Sequence, residues 1–176
     1  MTASAVVATS GSATANSYVT LTVADQYHED RPAVSTTWTG TTDEEKNKAL
    51  MWATTLLDSL VEWTGWPAVP ATQALLWPRS GMWYRNGNSI GVTVIPTELQ
   101  EATAEYARQL LVDDRGGDSD IETQGIKKIV AGPVEIEFKD NVSAKVVPDI
   151  VVSLLPKQWY GYIRGRASMT AELLRA

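Results

Sequence analysis

Apolar residues recur every three or four positions in a long stretch that follows Thr42. They are Ala49, Trp52, Ala53, Leu56, Leu57, Leu60 and Val61. This spacing predicts an amphipathic helix that turns one apolar face toward a core. Thr42 followed by Glu45 matches a capping box at the start of the helix. The segment "TGWPAVP" predicts the end of the helix near Gly65.

A second stripe of the same period begins at Pro96, a residue that suits a first helical turn. Its apolar members are Leu99, Ala102, Tyr106, Leu110 and Leu111. Glu98, Glu101 and Glu105 lie opposite this stripe, which indicates a solvated face. The segment "RGGDSD" predicts the end of this helix.

Shorter helices are predicted nearer the two ends of the chain. Residues 17–32 indicate a strand-like entry and then a helix, with Thr22 as its N-cap and Pro32 beyond its end. Pro148 and Pro156 bracket another short helix.

Between the second long helix and Pro148 the pattern changes to a period of two. Val134, Ile136 and Phe138 alternate with charged residues, and Gly132 and Pro133 interrupt the apolar run before them. This pattern predicts a β-hairpin over about residues 124–140. The predicted fold class is therefore α+β and mainly α, a small helical bundle with a β-hairpin and extended, flexible N- and C-terminal arms.

The length of 176 residues favours a single folded domain. Residues 1–16 are rich in Ser, Thr, Ala and Gly, which predicts a flexible N-terminal arm. Residues 17–156 form the predicted domain. Residues 157–176 form a predicted tail that is basic and aromatic.

Composition narrows the possible functions. The chain has no Cys, so neither a disulfide nor a thiolate zinc site is possible. No apolar run approaches the ~18 residues that a membrane span requires, and no membrane partner is expected. The net charge of −6 disfavours a general binder of duplex DNA. The charge is uneven, because residues 157–176 carry +3 and the remainder −9.

Residues capable of chemistry are few. His28 is the single histidine, and it stands beside Glu29 and Asp30 in what the pattern predicts to be a solvated position. The acidic stretch 113–120 offers carboxylates for a calcium ion, but its spacing differs from that of an EF-hand. A helix that ends at glycine and continues into an acidic solvated loop is the preferred interpretation. No phosphate-binding glycine loop occurs. We therefore predict no enzyme activity, no cofactor and no metal.

The tail segment "KQWYGYIRGR" mixes aromatic and basic residues. Such a mixture can clamp a single strand of nucleic acid or can anchor a protein interface. Its two glycines and its lack of helical period predict that it orders only on a partner. A terminus with no partner is the remaining interpretation.

Several segments occur in an order that resembles a known family. They are "NSYVTLTVADQYHEDR", "KALMWATTLLDSL", "QALLWPRSG", "VIPTELQEATAEYARQLL", "IKKIVAGPVEIEF" and "PDIVVSLLPKQW". Over about residues 16–159 this succession resembles the head-to-tail adaptor proteins of tailed bacteriophages, also called head completion or connector proteins. Similar chains are also labelled DnaT-like single-stranded-DNA-binding proteins.

The resemblance implies a structural virion protein, located at the capsid vertex and neck and in the host cytoplasm during assembly. Adaptors form a ring, usually of twelve copies, beneath the portal protein. The ring extends the DNA channel and docks a tail or neck protein. Genomic DNA would pass through it without specific binding, and an acidic body suits that role because like charges repel.

Under this interpretation Trp77 and Pro78 plug the bundle, and two groups of residues form interfaces. They are Arg79, Trp83, Tyr84 and Arg85 in the loop, and Trp159, Tyr160, Tyr162, Arg164 and Arg166 in the tail. The alternative function is that of a single-stranded-DNA-binding phage protein. An enzyme, such as a carbohydrate hydrolase with two carboxylates, is the third hypothesis.

Overall fold

The computed structural model describes residues 5–32, 36–114 and 145–164, together with the backbone of 128–131 and 134–137. Within these residues the helices are α1 Leu21–Glu29, α2 Thr36–Thr39, α3 Asp43–Leu60, α4 Thr97–Leu110 and α5 Asp149–Leu154. The strands are β1 Val61–Trp63, β2 Trp66–Pro67, β3 Arg79–Ser80, β4 Lys128–Ala131, β5 Val134–Glu137 and β6 Tyr160–Ile163, and a 3₁₀ turn spans Lys157–Trp159. The predicted fold class, α+β and mainly helical, is confirmed.

Helix α4 lies at the centre of the fold. Helices α1, α3 and α5 all pack against it, and α3 makes the most extensive contact. Every residue of α4 from 102 to 107 is buried. Three of these six are alanines, whose small side chains allow neighbouring helices to approach closely. The core therefore surrounds α4 instead of touching one stripe of it.

The start of the helix is predicted correctly for α3 and α4 and wrongly for α1. Thr42 and Glu45 form the predicted capping box at α3. Helix α4 begins directly after Pro96, as expected. Helix α1 is capped by Thr20, whose hydroxyl accepts from the Val23 N–H, so the prediction of Thr22 as the cap is wrong by two residues.

Strands β4 and β5 form the predicted antiparallel hairpin, with Ile129 opposite Ile136. Helix α3 ends at Leu60 rather than near Gly65, because β1 begins at the next residue. Strand β1 pairs antiparallel with β6, with Val61 opposite Ile163.

The C-terminal segment is part of the fold as far as it is described. Trp159 is fully buried, and Tyr160 and Ile163 are also buried. This differs from the predicted tail that begins at residue 157 and orders only on a partner. The pairing of β6 with β1, which a local pattern does not reveal, supplies the hydrogen bonds that hold it. Residues 165–176 lie outside the described part of the chain.

The N-terminal segment also packs against the domain along residues 5–16. The Asn16 amide oxygen accepts from the Val7 N–H at 2.7 Å, and Ser12 O accepts from the Ala74 N–H at 3.1 Å. Ala15 is buried. Residues 5–16 of the predicted flexible arm therefore pack against the domain, and Ser12 contacts the loop that precedes Trp77. Residues 1–4 lie outside the described residues.

Arg79 is buried, with 6% of its surface exposed. Its guanidinium donates to Thr64 O at 2.6 Å, Gly65 O at 2.8 Å, Leu76 O at 3.0 Å and Trp63 O at 3.4 Å. The planar fork of donors in arginine suits this arrangement of carbonyls. Arg79 thus joins the end of β1 to the loop that leads into β3.

Glu105 is fully buried, which corrects its predicted solvated position. Its carboxylate accepts from Arg31, Arg108 and Gln109. Burial alone would raise the pKa of Glu105, but the hydrogen bonds from Arg108 and Gln109 and the charges of the two arginines lower it overall. The residue faces α1 because α4 is enclosed on several sides, so its polar face is not wholly solvated.

His28 is buried as well, with 1% of its surface exposed, which corrects the second solvated position. Its Nε2 lies 3.2 Å from Ala104 O, and its ring lies 4.4 Å from the ring of Trp38. Burial lowers the pKa of His28 from its usual 6.5 to about 4. A packed core position explains this histidine without a catalytic role.

We expect Arg79→Met to lower the free energy of unfolding by roughly 3 kcal/mol, because it leaves several carbonyls without donors. Urea denaturation measures this change. The matched control is Arg85→Met, where an exposed arginine makes one side-chain hydrogen bond and the loss should stay below about 0.5 kcal/mol. Equal effects of the two substitutions would contradict the structural role of Arg79.

Acid should destabilise the fold through His28. The unfolded chain binds a proton at this residue near pH 6.5 and the folded chain only near pH 4, so stability falls as the pH drops through that window. The difference corresponds to about 3 kcal/mol before allowance for solvent screening. His28→Gln keeps a donor for Ala104 O, and it should flatten the pH dependence of unfolding between 4 and 6.5. An unchanged slope would contradict the assignment.

Candidate functional site

The loop after β3 and the C-terminal segment meet in the structure, although they are far apart in the sequence. The indole N–H of Trp159 donates to Trp83 O at 2.7 Å. The Trp159 ring lies 5.2 Å from the ring of Trp77, and Trp77 lies edge-on to Trp63 at 5.8 Å. Trp77 is buried, as predicted. A tryptophan core therefore joins the two segments that the sequence singled out.

The base of the loop is bonded to Tyr18, which precedes α1, and to Asp58 of α3. The Tyr18 hydroxyl donates to Asp58 and accepts from the Trp77 N–H at 3.3 Å. The second carboxylate oxygen of Asp58 accepts from the Leu76 N–H at 3.0 Å. Burial raises the pKa of both Tyr18 and Asp58. These contacts hold the chain rigidly just before β3.

Residues 81–90 form a hairpin-like loop that projects from this base. Trp83 bridges to Ser89, and the Tyr84 N–H donates to Asn88 O at 2.8 Å. Gly87, with φ of 85°, allows the tight turn at the tip because a side chain disfavours that conformation. Residues 85–89 are exposed. The loop therefore presents Arg85 at its tip.

Arg85 faces a groove that continues to the C-terminal segment. We call it the Arg85–Lys157 groove. Its volume is about 590 Å³ and it is lined by Arg85, Asp149, Val152, Ser153, Leu155, Lys157, Gln158 and Tyr160. The Arg85 guanidinium donates to Ser153 O at 3.3 Å. The Lys157 ammonium lies 4.3 Å from the centre of the Tyr160 ring.

The charge of this groove differs from that of the whole chain. Arg85 and Lys157 face it against a single carboxylate, Asp149, which forms an ion pair with Lys145 at 2.6 Å. Two other grooves in the described part of the chain are not positive. One, of about 570 Å³ between α1 and α4, contains Arg31 with Asp30 and Glu101. The other, of about 360 Å³ beside Trp52, contains one lysine with two carboxylates.

The structure separates the nine predicted interface residues into three groups. Arg79, Trp159 and Tyr160 are buried, and Tyr84 is half-buried. Trp83 and Tyr162 are 53% and 48% exposed, and Arg85 and Arg164 are also exposed. Arg166 lies outside the described residues. Arg79 and Trp159 therefore serve the core, and Trp83, Arg85, Tyr162 and Arg164 remain available for a ligand.

Two exposed residues were absent from that prediction. Lys157 lines the groove, and its proximity to "WYGY" was the available signal. Trp66 is 73% exposed, the most exposed of the large hydrophobic residues in the described chain. The sequence predicted only the end of a helix around Trp66. No local pattern shows that Trp66 and Pro67 pair with β3, which is more than ten residues away.

The described residues contain no group of three or more His, Cys, Asp or Glu arranged to hold a metal ion. Of the acidic stretch 113–120, only Asp113 and Asp114 lie within the described chain. None of the described helices combines the length and the apolar character needed to cross a membrane.

Comparison with known proteins gives one match. The model of the family described as "Putative DnaT-like ssDNA binding protein" matches residues 4–176. The chain belongs to this family. No curated protein and no solved structure matches significantly.

This membership corrects the predicted function. The prediction of a structural head-to-tail adaptor is wrong, because the family match favours the alternative interpretation. The prediction that DNA passes without specific binding is wrong for the same reason, and portal, tail and ring partners have no support. The adaptor prediction relied on the resemblance of the ordered segments, and the negative net charge of the chain was taken as support for it. That charge is an average, whereas a ligand responds to the charges within about a Debye length of its site.

The bond between Trp159 and Trp83 O can be tested by Trp159→Phe, which removes the N–H donor. We expect a loss of about 1–2 kcal/mol in stability and faster hydrogen exchange at Tyr84 and Ile90, whose N–H groups are bonded within the loop. Trp38→Phe is the matched control, because Trp38 donates to Asp25 far from the loop. Unchanged exchange in the loop of the Trp159 variant would contradict the proposed coupling.

Proposed function

We propose that this protein binds single-stranded DNA at the Arg85–Lys157 groove. One observation carries the proposal: cationic side chains from two distant segments converge on a groove that has an aromatic ring in its wall, and the exposed Trp83 precedes Arg85 by two residues. Proteins that bind single strands combine a positive groove with aromatic stacking surfaces. Membership of the DnaT-like family supports the same ligand.

The two cations would contact phosphates in different ways. Arg85 offers several N–H donors in a planar fork, and the carbonyl of Ser153 uses one of them and orients the group. Lys157 rests over the face of Tyr160, and this cation–π contact holds its flexible stem near the groove. The side chains of Arg85 and Lys157 are therefore already oriented toward the groove before a ligand binds, which reduces the conformational entropy lost on binding.

The exposed aromatic residues explain a preference for single strands. Trp83 leaves about half of its surface to solvent, and a base can stack on it only when that base is unpaired. Tyr162 offers a second exposed ring on β6, two residues after the groove residue Tyr160. In a duplex the base faces are covered by their neighbours, so these rings would gain little from it.

The acidic remainder of the chain would shape the affinity. Its charge repels phosphates away from the groove and limits non-specific binding to duplex DNA. With two phosphate contacts, the logarithm of the binding constant should fall with the logarithm of salt concentration with a slope of about −1.4. The role that we propose for the groove is binding.

Charge neutralisation in the groove tests this function. We expect Arg85→Gln and Lys157→Gln each to weaken binding of an oligothymidylate and to reduce the salt slope by about 0.7. Fluorescence anisotropy over a salt series measures both quantities. Lys48→Gln, at an exposed lysine of α3 that pairs with Glu44, is the matched control and should change neither. Wild-type affinity and slope in both groove variants, or tighter binding to duplex than to single strands, would refute the proposal.

A further inference from the structure

Trp66 is a large apolar residue that lies on the surface and contributes little to the core. Its backbone pairs with Ser80 across β2 and β3, and its ring lies against Gly81. A Cβ added at Gly81 would lie 3.7 Å from the ring, and Gly81 has φ of 75°. The six-membered ring of the indole therefore lies beside Gly81, while 73% of the surface of Trp66 remains exposed.

The residues after Gly81 alternate in exposure. Gly81 and Trp83 are exposed, Met82 between them is 2% exposed, and Arg85 is exposed beyond the half-buried Tyr84. Gly81, with φ of 75°, bends the chain before Trp83, and Arg85 lies in the turn at the tip of the loop. Along the chain the exposed positions thus form a row in the order of the Trp66 ring beside Gly81, then Trp83, then Arg85.

Chain geometry limits the length of this row. Consecutive Cα atoms are about 3.8 Å apart, so Gly81 and Trp83 are separated by at most about 7.6 Å, and Gly81 and Arg85 by at most about 15 Å. Bases in one strand of a duplex rise by about 3.4 Å each, and a strand whose bases occupy separate rings extends to about twice that. The row spans roughly three nucleotides on this scale.

We propose that Trp66 is a second base-stacking platform, which extends the single-strand interface from the Arg85–Lys157 groove across Trp83. The inference rests on the proposed function and identifies its further ligand contact as an unpaired base. The Trp66 ring carries no charge and reads no base edge, so this contact is tolerant of sequence. It adds affinity for a strand long enough to occupy both the groove and Trp66.

Trp66→Ala tests the inference by anisotropy with oligothymidylates of increasing length. We expect about tenfold weaker binding to long oligomers, a typical loss for one stacked base, with an unchanged salt slope. Trp66→Tyr should restore most of the affinity, because it restores a stacking face. Trp52→Ala is the matched control at an exposed tryptophan of α3 and should bind as wild type. Near-ultraviolet circular dichroism confirms that each variant is folded.

A second measurement locates the contact directly. An oligothymidylate with one 5-iododeoxyuridine should photo-crosslink to Trp66 and to Trp83 from different positions in the strand. Wild-type affinity in Trp66→Ala, with weakened binding in Arg85→Gln and Lys157→Gln, would overturn this inference and leave the proposed function standing. Unaltered binding in all three variants would overturn both. A change of the salt slope in Trp66→Ala would also count against stacking.

Discussion

The hydrogen bond from the Trp159 indole to Trp83 O is the contact on which the candidate surface depends. Trp159 is fully buried against Trp77, so its N–H has a fixed position and direction. The carbonyl that it binds belongs to the projecting loop. Because a buried donor is costly to leave unpaired, this bond fixes the loop against the C-terminal segment. The relative position of Arg85 and Lys157 follows from it.

The chain uses the same residue types for two purposes. Arg79 is enclosed by carbonyls and stabilises the fold, whereas Arg85, six residues later, extends into a groove. Trp77 and Trp159 are buried, whereas Trp66 and Trp83 are exposed. The tryptophan-rich composition therefore supports both a core and a binding surface. Composition alone could not divide the residues between these two roles.

The net charge of the chain does not describe the local charge of the groove. The net charge of −6 pointed away from nucleic acid, and it agreed with the adaptor function that the family resemblance implied. The groove nevertheless gathers two cations against one ion-paired carboxylate. An acidic surround and a positive groove are compatible, because salt screens charges beyond about 8–10 Å. Such a surface restricts binding to ligands that fit the groove.

What the sequence by itself determined was local: the apolar stripe and capping box of α3, the start of α4 at Pro96, and the hairpin of β4 and β5. Each depends on residues a few positions apart, so a short window contains the cause. The aromatic and basic segments of the site could also be recognised in the sequence. The sequence did not show which of their residues are exposed. Only the tertiary structure buried Arg79, His28, Glu105 and Trp159, and only it paired β1 with β6. These features depend on contacts between distant segments. Glu105 is buried although it lies opposite the apolar stripe of α4, because neighbouring elements enclose residues 102–107 on every side.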